Sequence, residues 1–138
     1  MDKALNYLAL AKRGRLVELG EEPVGAAARA LHARLVVVAK YASDHTWRRA
    51  KRFVAGTDQL AIRVPFSKDE LGQVTGRTEL AIAAFTDPAM ALAFVKALPD
   101  VAKHAAVQAV LETKATKLKQ RKDEAKAHQR NVRFGKKK

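Results

Sequence analysis

The fold turns on Ala33-Arg34-Leu35-Val36-Val37-Val38-Ala39. Leu35 to Val38 is β-branched and nearly all apolar, as expected of a strand covered on both faces. A strand without a polar side needs helices above and below it, so this segment predicts a sheet between helical layers.

Reading outward toward the N-terminus, Pro23 to Leu31 is an Ala-rich second helix, and Leu16 to Leu19 is open between a short strand and a connection. Before these, Asp2 can cap a first helix in which Leu5, Leu8 and Ala9 recur at helical spacing, with Lys12 and Arg13 in the last turn and Gly14 beyond. Toward the C-terminus, Ser43 or Asp44 caps a third helix with Trp47, Ala50 and Val54 on its inner stripe, and Gly56 ends it. Leu60 to Ile62 is the next strand, stopped by Pro65. Ser67-Lys68-Asp69-Glu70 has capping-box spacing ahead of Leu71 and Val74, with Gly76 closing that short helix. Leu80 to Phe85 is a buried strand, followed by Asp87-Pro88 as N-cap and first helical residue. The stripe Leu92, Val95 and Leu98 completes that helix. Strand and helix alternate, so the expected fold class is α/β.

Beyond Pro99 the pattern changes. The apolar stripe Val107, Val110 and Leu111 fades into Ala, Lys, Gln and Glu, which favour helix but offer little surface to pack. The expected organisation is therefore a body over residues 1–99 and a basic helical extension over 100–138, ending in a disordered tail near Asn131.

Composition narrows the chemistry. A 138-residue chain with 48% hydrophobic content can build one core without disulfide or metal support. The absence of cysteine removes thiol catalysis and cysteine-ligated metal sites, and fits a reducing compartment. Lys12, Arg13 and Arg15 interrupt the N-terminal apolar run too early for a signal peptide, and no segment approaches a membrane span. The expected location is the cytoplasm, as a monomer with no membrane partner.

The formal charge is +13 and the pI about 10.3, which calls for an anionic partner. From Lys114 onward, eleven Lys/Arg (Lys114, Lys117, Lys119, Arg121, Lys122, Lys126, Arg130, Arg133, Lys136, Lys137 and Lys138) face only Asp123 and Glu124. Nucleic acid is the commonest partner of such a tail, through phosphate contacts and counterion release. A solubilising tail or an anionic membrane surface is the alternative.

Catalytic patterns are missing. His32, His45, His104 and His128 are scattered, without i, i+4 spacing or an acidic cluster of metal-site form. Gly72 and Gly76 bracket a helix and no phosphate-loop lysine follows, while Glu21 and Glu22 diverge by about 100° on a helix. No enzyme activity, cofactor or metal is expected.

Two loops stand out instead. Gly14-Arg15-Leu16-Val17-Glu18-Leu19-Gly20-Glu21-Glu22-Pro23-Val24-Gly25 ends one helix and opens another, placing Glu21 and Glu22 beside N–H groups without intrahelical partners. Gly76-Arg77-Thr78-Glu79-Leu80 leads into a strand and is its expected neighbour. The plainer alternative is a helix start that favours carboxylates and a C-cap followed by a turn.

Gly14-Arg15-Leu16 with Glu21-Glu22, then Ala33 to Ala39, Val64-Pro65, Ser67-Lys68, Leu71-Gly72 and Gly76 follow one another in the order and spacing of a known family. From about Leu5 to Leu98 the chain resembles the L-seven-Ae family of ribosomal and kink-turn RNA-binding proteins, closest to its bacterial YlxQ-like branch. The resemblance implies a three-layer α/β/α sandwich with a mixed sheet.

It also implies a site. The family's Asn-Glu-x-x-Lys motif, which reads sheared G·A pairs, falls on Glu21, Glu22 and Gly25. Glu22 keeps an acceptor for a guanine edge, Glu21 lacks the amide's donor, and Gly25 lacks the cation. Val17 and Glu18 occupy positions often lysine in kink-turn readers. Arg15 and Lys40 are phosphate-contact candidates beside Gly20, Gly76, Arg77 and Thr78, and Leu80 is the candidate surface beneath a flipped nucleotide.

The resulting expectation is non-enzymatic binding of structured RNA, kink-turn-like or ribosomal, by a ribosome-associated protein. Trp47 is expected in the core, and Arg48, Arg49, Lys51 and Arg52 on a solvated helix face that could extend a phosphate track. The alternative is a protein-interaction adaptor on the ribosome or transcription machinery that has lost specific RNA reading.

Overall fold

The structure, a computed structural model, describes residues 2–133, with side chains as far as residue 129. In chain order it contains α1 (Lys3–Arg13), β1 (Val17–Leu19), α2 (Glu21–Arg29), β2 (Leu35–Val38), α3 (Asp44–Val54), β3 (Leu60–Arg63), α4 (Lys68–Thr75), β4 (Ile82–Phe85) and α5 (Pro88–Lys96). A 3-10 turn (Val101–His104) then leads into α6 (Ala105–Arg133).

Capping chemistry sets these boundaries. Asp2 Oδ1 accepts from the Ala4 N–H at 2.8 Å, and Ser43 Oγ from that of Thr46 at 3.1 Å. Ser67 and Glu70 form a reciprocal capping box, which satisfies two N–H groups that would otherwise be orphaned at the start of α4. Asp87 Oδ2 accepts from Met90 at 2.9 Å with Pro88 at the first helical position.

The sheet is mixed, in the order β1-β4-β2-β3, with β2 parallel to β3 and β4 antiparallel to both β1 and β2. Every residue of β2 is fully buried, as its composition requires. Helices α2 and α3 pack together over one face, while α1, α4 and α5 cover the other, giving a three-layer α/β/α sandwich. Beneath that second layer Phe85 and Phe94 pack with ring centroids 4.9 Å apart.

Several boundaries differ from those read in the sequence. Gly14 keeps φ −85°, and it is Arg15 that turns left-handed at φ 59° to end α1. The Leu16 N–H reaches the Ala11 carbonyl at 2.8 Å and the Arg15 N–H that of Lys12 at 3.2 Å, which is Schellman geometry. Helix α2 starts at Glu21 rather than Pro23 and ends at Arg29, because Leu31 adopts φ 62° and repeats the same motif with Ala27 and Ala28.

Packing of the body also continues past residue 99. Helix α6 lies along α5, Leu111 is fully buried, and Lys114 Nζ donates to the Asp58 carbonyl at 2.8 Å. Beyond that anchor every residue from Lys119 to Gln129 is exposed, so the distal helix projects. The tail expected past Asn131 falls on a helix that runs to Arg133, and residues 134–138 lie outside the described chain. Among the described residues, no helix is long and apolar enough to cross a membrane.

Candidate nucleic-acid interface

Strand directions bring four connections to one end of the sheet. The Gly20 N–H after β1 donates to the Ile82 carbonyl at 3.0 Å, the Ala39 N–H after β2 to that of Ala81 at 2.9 Å, and the Lys40 N–H to that of Phe66 at 2.7 Å. The exits of β1, β2 and β3 therefore surround the entrance to β4. In open α/β sheets, crevices at the carboxyl ends of strands are the usual place for ligands.

At this end the two loops meet. Arg77 Nη1 stands 3.6 Å from the position a Cβ on Gly20 would occupy. Gly20 holds φ 96°, ψ 163°, a conformation open to glycine, and so turns the chain from β1 directly into α2. The partner loop is held in place by Gly72, whose missing Cβ would lie 2.6 Å from the Arg77 carbonyl oxygen and 3.0 Å from the Thr78 backbone. Gly76 caps α4 at φ 77°, with Lys12 Nζ about 3.9 Å from its Cβ position. Lys12 and Arg77 thus bring two cations to the junction, although Lys12 carried no signal beyond an ordinary helix C-terminus.

The N-terminal turn of α2 is less free than its sequence implies. Glu21 forms an ion pair with Arg49 of α3, and one turn on a Cβ at Gly25 would meet the Phe53 ring at 3.2 Å. Glu21 and Gly25 thus face α3, so two of the three positions assigned to the family motif are engaged within the protein. Glu22 is exposed and makes no ion pair among the described residues. Arg29 Nη1 lies 3.4 Å from the Gly25 Cβ position. Its guanidinium therefore overlies the position that lacks a cation in the sequence. Spacing of i, i+4 from Gly25 was the signal that could have found it.

Other candidates are distributed unevenly. Thr78 and Glu79 are exposed, and Glu79 pairs with Lys68 at 3.5 Å. Leu80 corrects the expectation of a surface beneath a nucleotide: it is only 2% exposed and belongs to the core. Its N–H donates to the Lys68 carbonyl at 3.0 Å, which turns the loop inward at that residue. Arg15 is exposed at the left-handed turn that ends α1, three residues past Lys12. Lys40 does lie at the correct end, with Nζ 5.0 Å from the centre of the exposed Tyr41 ring. Trp47 is half-buried rather than fully enclosed, with Arg63 5.1 Å from its ring centre.

In the extension, Lys114 is an anchor and not a free cation, since it also pairs with Asp58 Oδ2 at 3.4 Å. Lys117 and Arg121 line a depression with Arg34, and Lys119 and Lys122 line a neighbouring one with Asp87. Lys126 is exposed. The side chains of Arg130 and Arg133, and the whole of Lys136, Lys137 and Lys138, lie outside the described residues. Among the described residues, no three His, Asp or Glu side chains gather as a metal ligand set.

No protein-family model matches the chain. No curated protein matches its sequence either. Solved structures match by shape. A Bacillus halodurans protein of unknown function has a TM-score of 0.61 at 22% identity, covering 81% of this chain and 99% of that one. The Giardia lamblia 15.5kD RNA binding protein has a TM-score of 0.59 at 16% identity, covering 76% of this chain and 87% of its own. At these identities the likeness establishes a common fold. The three-layer body described here is thus an architecture also used by an RNA-binding protein.

Proposed function

We propose that this chain is a non-enzymatic reader of structured RNA, of the L-seven-Ae type, acting on kink-turn-like or ribosomal RNA in association with the ribosome. The observation that carries the reading is the meeting of the Gly20 and Gly76–Thr78 loops through Arg77. The fold shared with the Giardia 15.5kD RNA binding protein supports it.

Chemically, Glu22 offers a free acceptor for the N–H edge of a guanine, while Arg77 and Lys12 offer phosphate contacts on either side. Arg29 takes the role of the cation that Gly25 lacks. Residues 100–138 form a basic extension rooted on α5, adding a sequence-blind attraction that strengthens binding to a large RNA without choosing the target.

A second reading is favoured by one observation. Arg49 and Phe53 occupy Glu21 and Gly25, so the fold could serve as a protein adaptor on the ribosome or transcription machinery with its RNA reading lost.

Binding of the full chain to a kink-turn RNA with tandem G·A pairs, compared with a duplex in which those pairs are G·C, tests both. RNA reading requires a preference for the first, and its loss in Glu22→Ala should cost about 1–3 kcal/mol of discrimination. Equal affinity for both RNAs overturns it, and partners that persist in a pull-down after thorough nuclease treatment then favour the adaptor.

A further inference from the structure

At the same sheet end as the junction, but on its β2–β3 side with β4 between, lies an open groove of about 770 Å³. Lys40, Tyr41, Trp47 and Arg63 border it from the sheet side, and Asp100, Lys103 and His104 from the turn that precedes α6. We propose that this groove seats one unpaired guanine nucleotide of the bound RNA strand. Its base would lie against Tyr41 with its N–H edge on Asp100, and its phosphate on Lys40 and Lys103. Only the source of the nucleotide, a bound RNA, rests on the function proposed above.

Tyr41 is 82% exposed and held at φ 64°, a left-handed conformation that L side chains rarely adopt. A large ring is thus displayed outward with no packing return, and an exposed aromatic beside a cation is the usual platform for an unstacked base. Lys40 supplies that cation. The Trp47 ring is already flanked by Arg63 and, at 6.0 Å, by Lys51, so it forms a wall and not the platform.

The opposite wall carries the selectivity. Asp100 Oδ1 and His104 Nε2 are buried and, among the described residues, have no hydrogen-bond partner. Oδ1 is therefore closed to a ligand, and the oxygen left for a base is Oδ2, which also stands 3.5 Å from His104 Nε2; the two side chains are 24% and 12% exposed. An ionised carboxylate only accepts, so it seeks donors. Guanine presents two adjacent ones, N1–H and the 2-amino group, whereas uracil presents a single N–H between carbonyls. That edge is free only in an unpaired nucleotide. Against the one carboxylate stand Lys40 and Lys103, with Arg63 shared with Asp44 at 3.7 Å and the Ala42 carbonyl at 3.3 Å, so the groove remains cationic toward phosphate.

Trp47 is the only tryptophan of the chain and borders the groove, so its fluorescence reports occupancy. The full chain is titrated with the pentaribonucleotides UUGUU and UUUUU and with guanosine monophosphate. UUGUU should change Trp47 emission saturably, and UUUUU should bind more weakly by roughly tenfold, the discrimination of one well-placed base contact. Tyr41→Ala, at an exposed site, should weaken UUGUU by roughly tenfold through lost stacking. Asp100→Asn should level UUGUU and UUUUU while Trp47 still responds. A flat trace with UUGUU, or equal affinities for the two pentamers, overturns the assignment whatever the kink-turn RNA does. Guanosine monophosphate binding as tightly as UUGUU replaces the RNA strand by a free nucleotide and overturns it too. A retained UUGUU response with no preference for the kink-turn RNA leaves the groove standing and removes the two-loop reading.

Discussion

Arg77 crosses from the loop after α4 to within 3.6 Å of the Cβ position of Gly20, so residues distant in the chain form one surface. The approach depends on two glycines for different reasons. Gly20 supplies a backbone conformation, and Gly72 supplies empty space beneath the Arg77-Thr78 backbone.

Gly72→Ala should displace the second loop, because its Cβ would lie 2.6 Å from a backbone oxygen that cannot rotate away. We expect a loss of about 1–3 kcal/mol of stability together with loss of preference for kinked RNA. Gly14→Ala is the control, since its Cβ would meet neighbours at 3.5–3.6 Å and its φ of −85° suits any residue. Chemical denaturation and RNA titration of both variants check this, and equal behaviour would show that the loop tolerates the added carbon.

Gln59 is only 5% exposed and ties α2 to β3. Its Oε1 accepts from the Ala33 N–H at 2.9 Å, and its Nε2 donates to the Ala28 carbonyl at 3.2 Å. Gln59→Leu fills similar space but strands the Ala33 N–H, while the Ala28 carbonyl keeps the Leu31 N–H, an expected cost of about 1–3 kcal/mol. Amide exchange at Ala33 should accelerate in the variant; unchanged exchange would mean that the bond contributes little.

Leu31 ends α2 at φ 62° with its side chain 57% exposed. Leu31→Gly relieves a left-handed conformation while giving up little burial. Net of the added unfolded-state freedom, it should stabilise by about 0.5–1 kcal/mol. A thermal melt reads the sign directly, and a lower midpoint would show that Leu31 packs more than its exposure suggests.

Lys119, Lys122 and Lys126 are exposed on α6. Replacing all three with Gln keeps helix propensity and should flatten the salt dependence of RNA affinity by about 0.7–0.9 in log–log slope for each phosphate that is no longer neutralised. Discrimination between kinked and straight RNA should stay as it was. Lys114→Ala should behave differently, lowering thermal stability, because Lys114 holds α6 to Asp58.

The element order was legible because its signals are local. Ser67 and Glu70, or Asp87 and Pro88, sit within one turn of each other, and Leu35 to Val38 states its burial in its own composition. Where local signals were equivocal, boundaries moved by a few residues: Arg15 and Leu31 took the left-handed positions that a glycine scan misses.

What the amino-acid order by itself determined is therefore a layered α/β body with a basic extension, and the glycines that punctuate it. Tertiary structure alone decided that β4 inserts between β1 and β2, which brings Arg77 to Gly20 across 57 residues of chain. It also decided that Arg49 neutralises Glu21, that Arg29 covers Gly25, and that Leu80 turns into the core. Caps and periodicity are properties of neighbours in sequence, whereas side-chain engagement depends on which helices and strands pack together, and strand pairing between distant segments sets that.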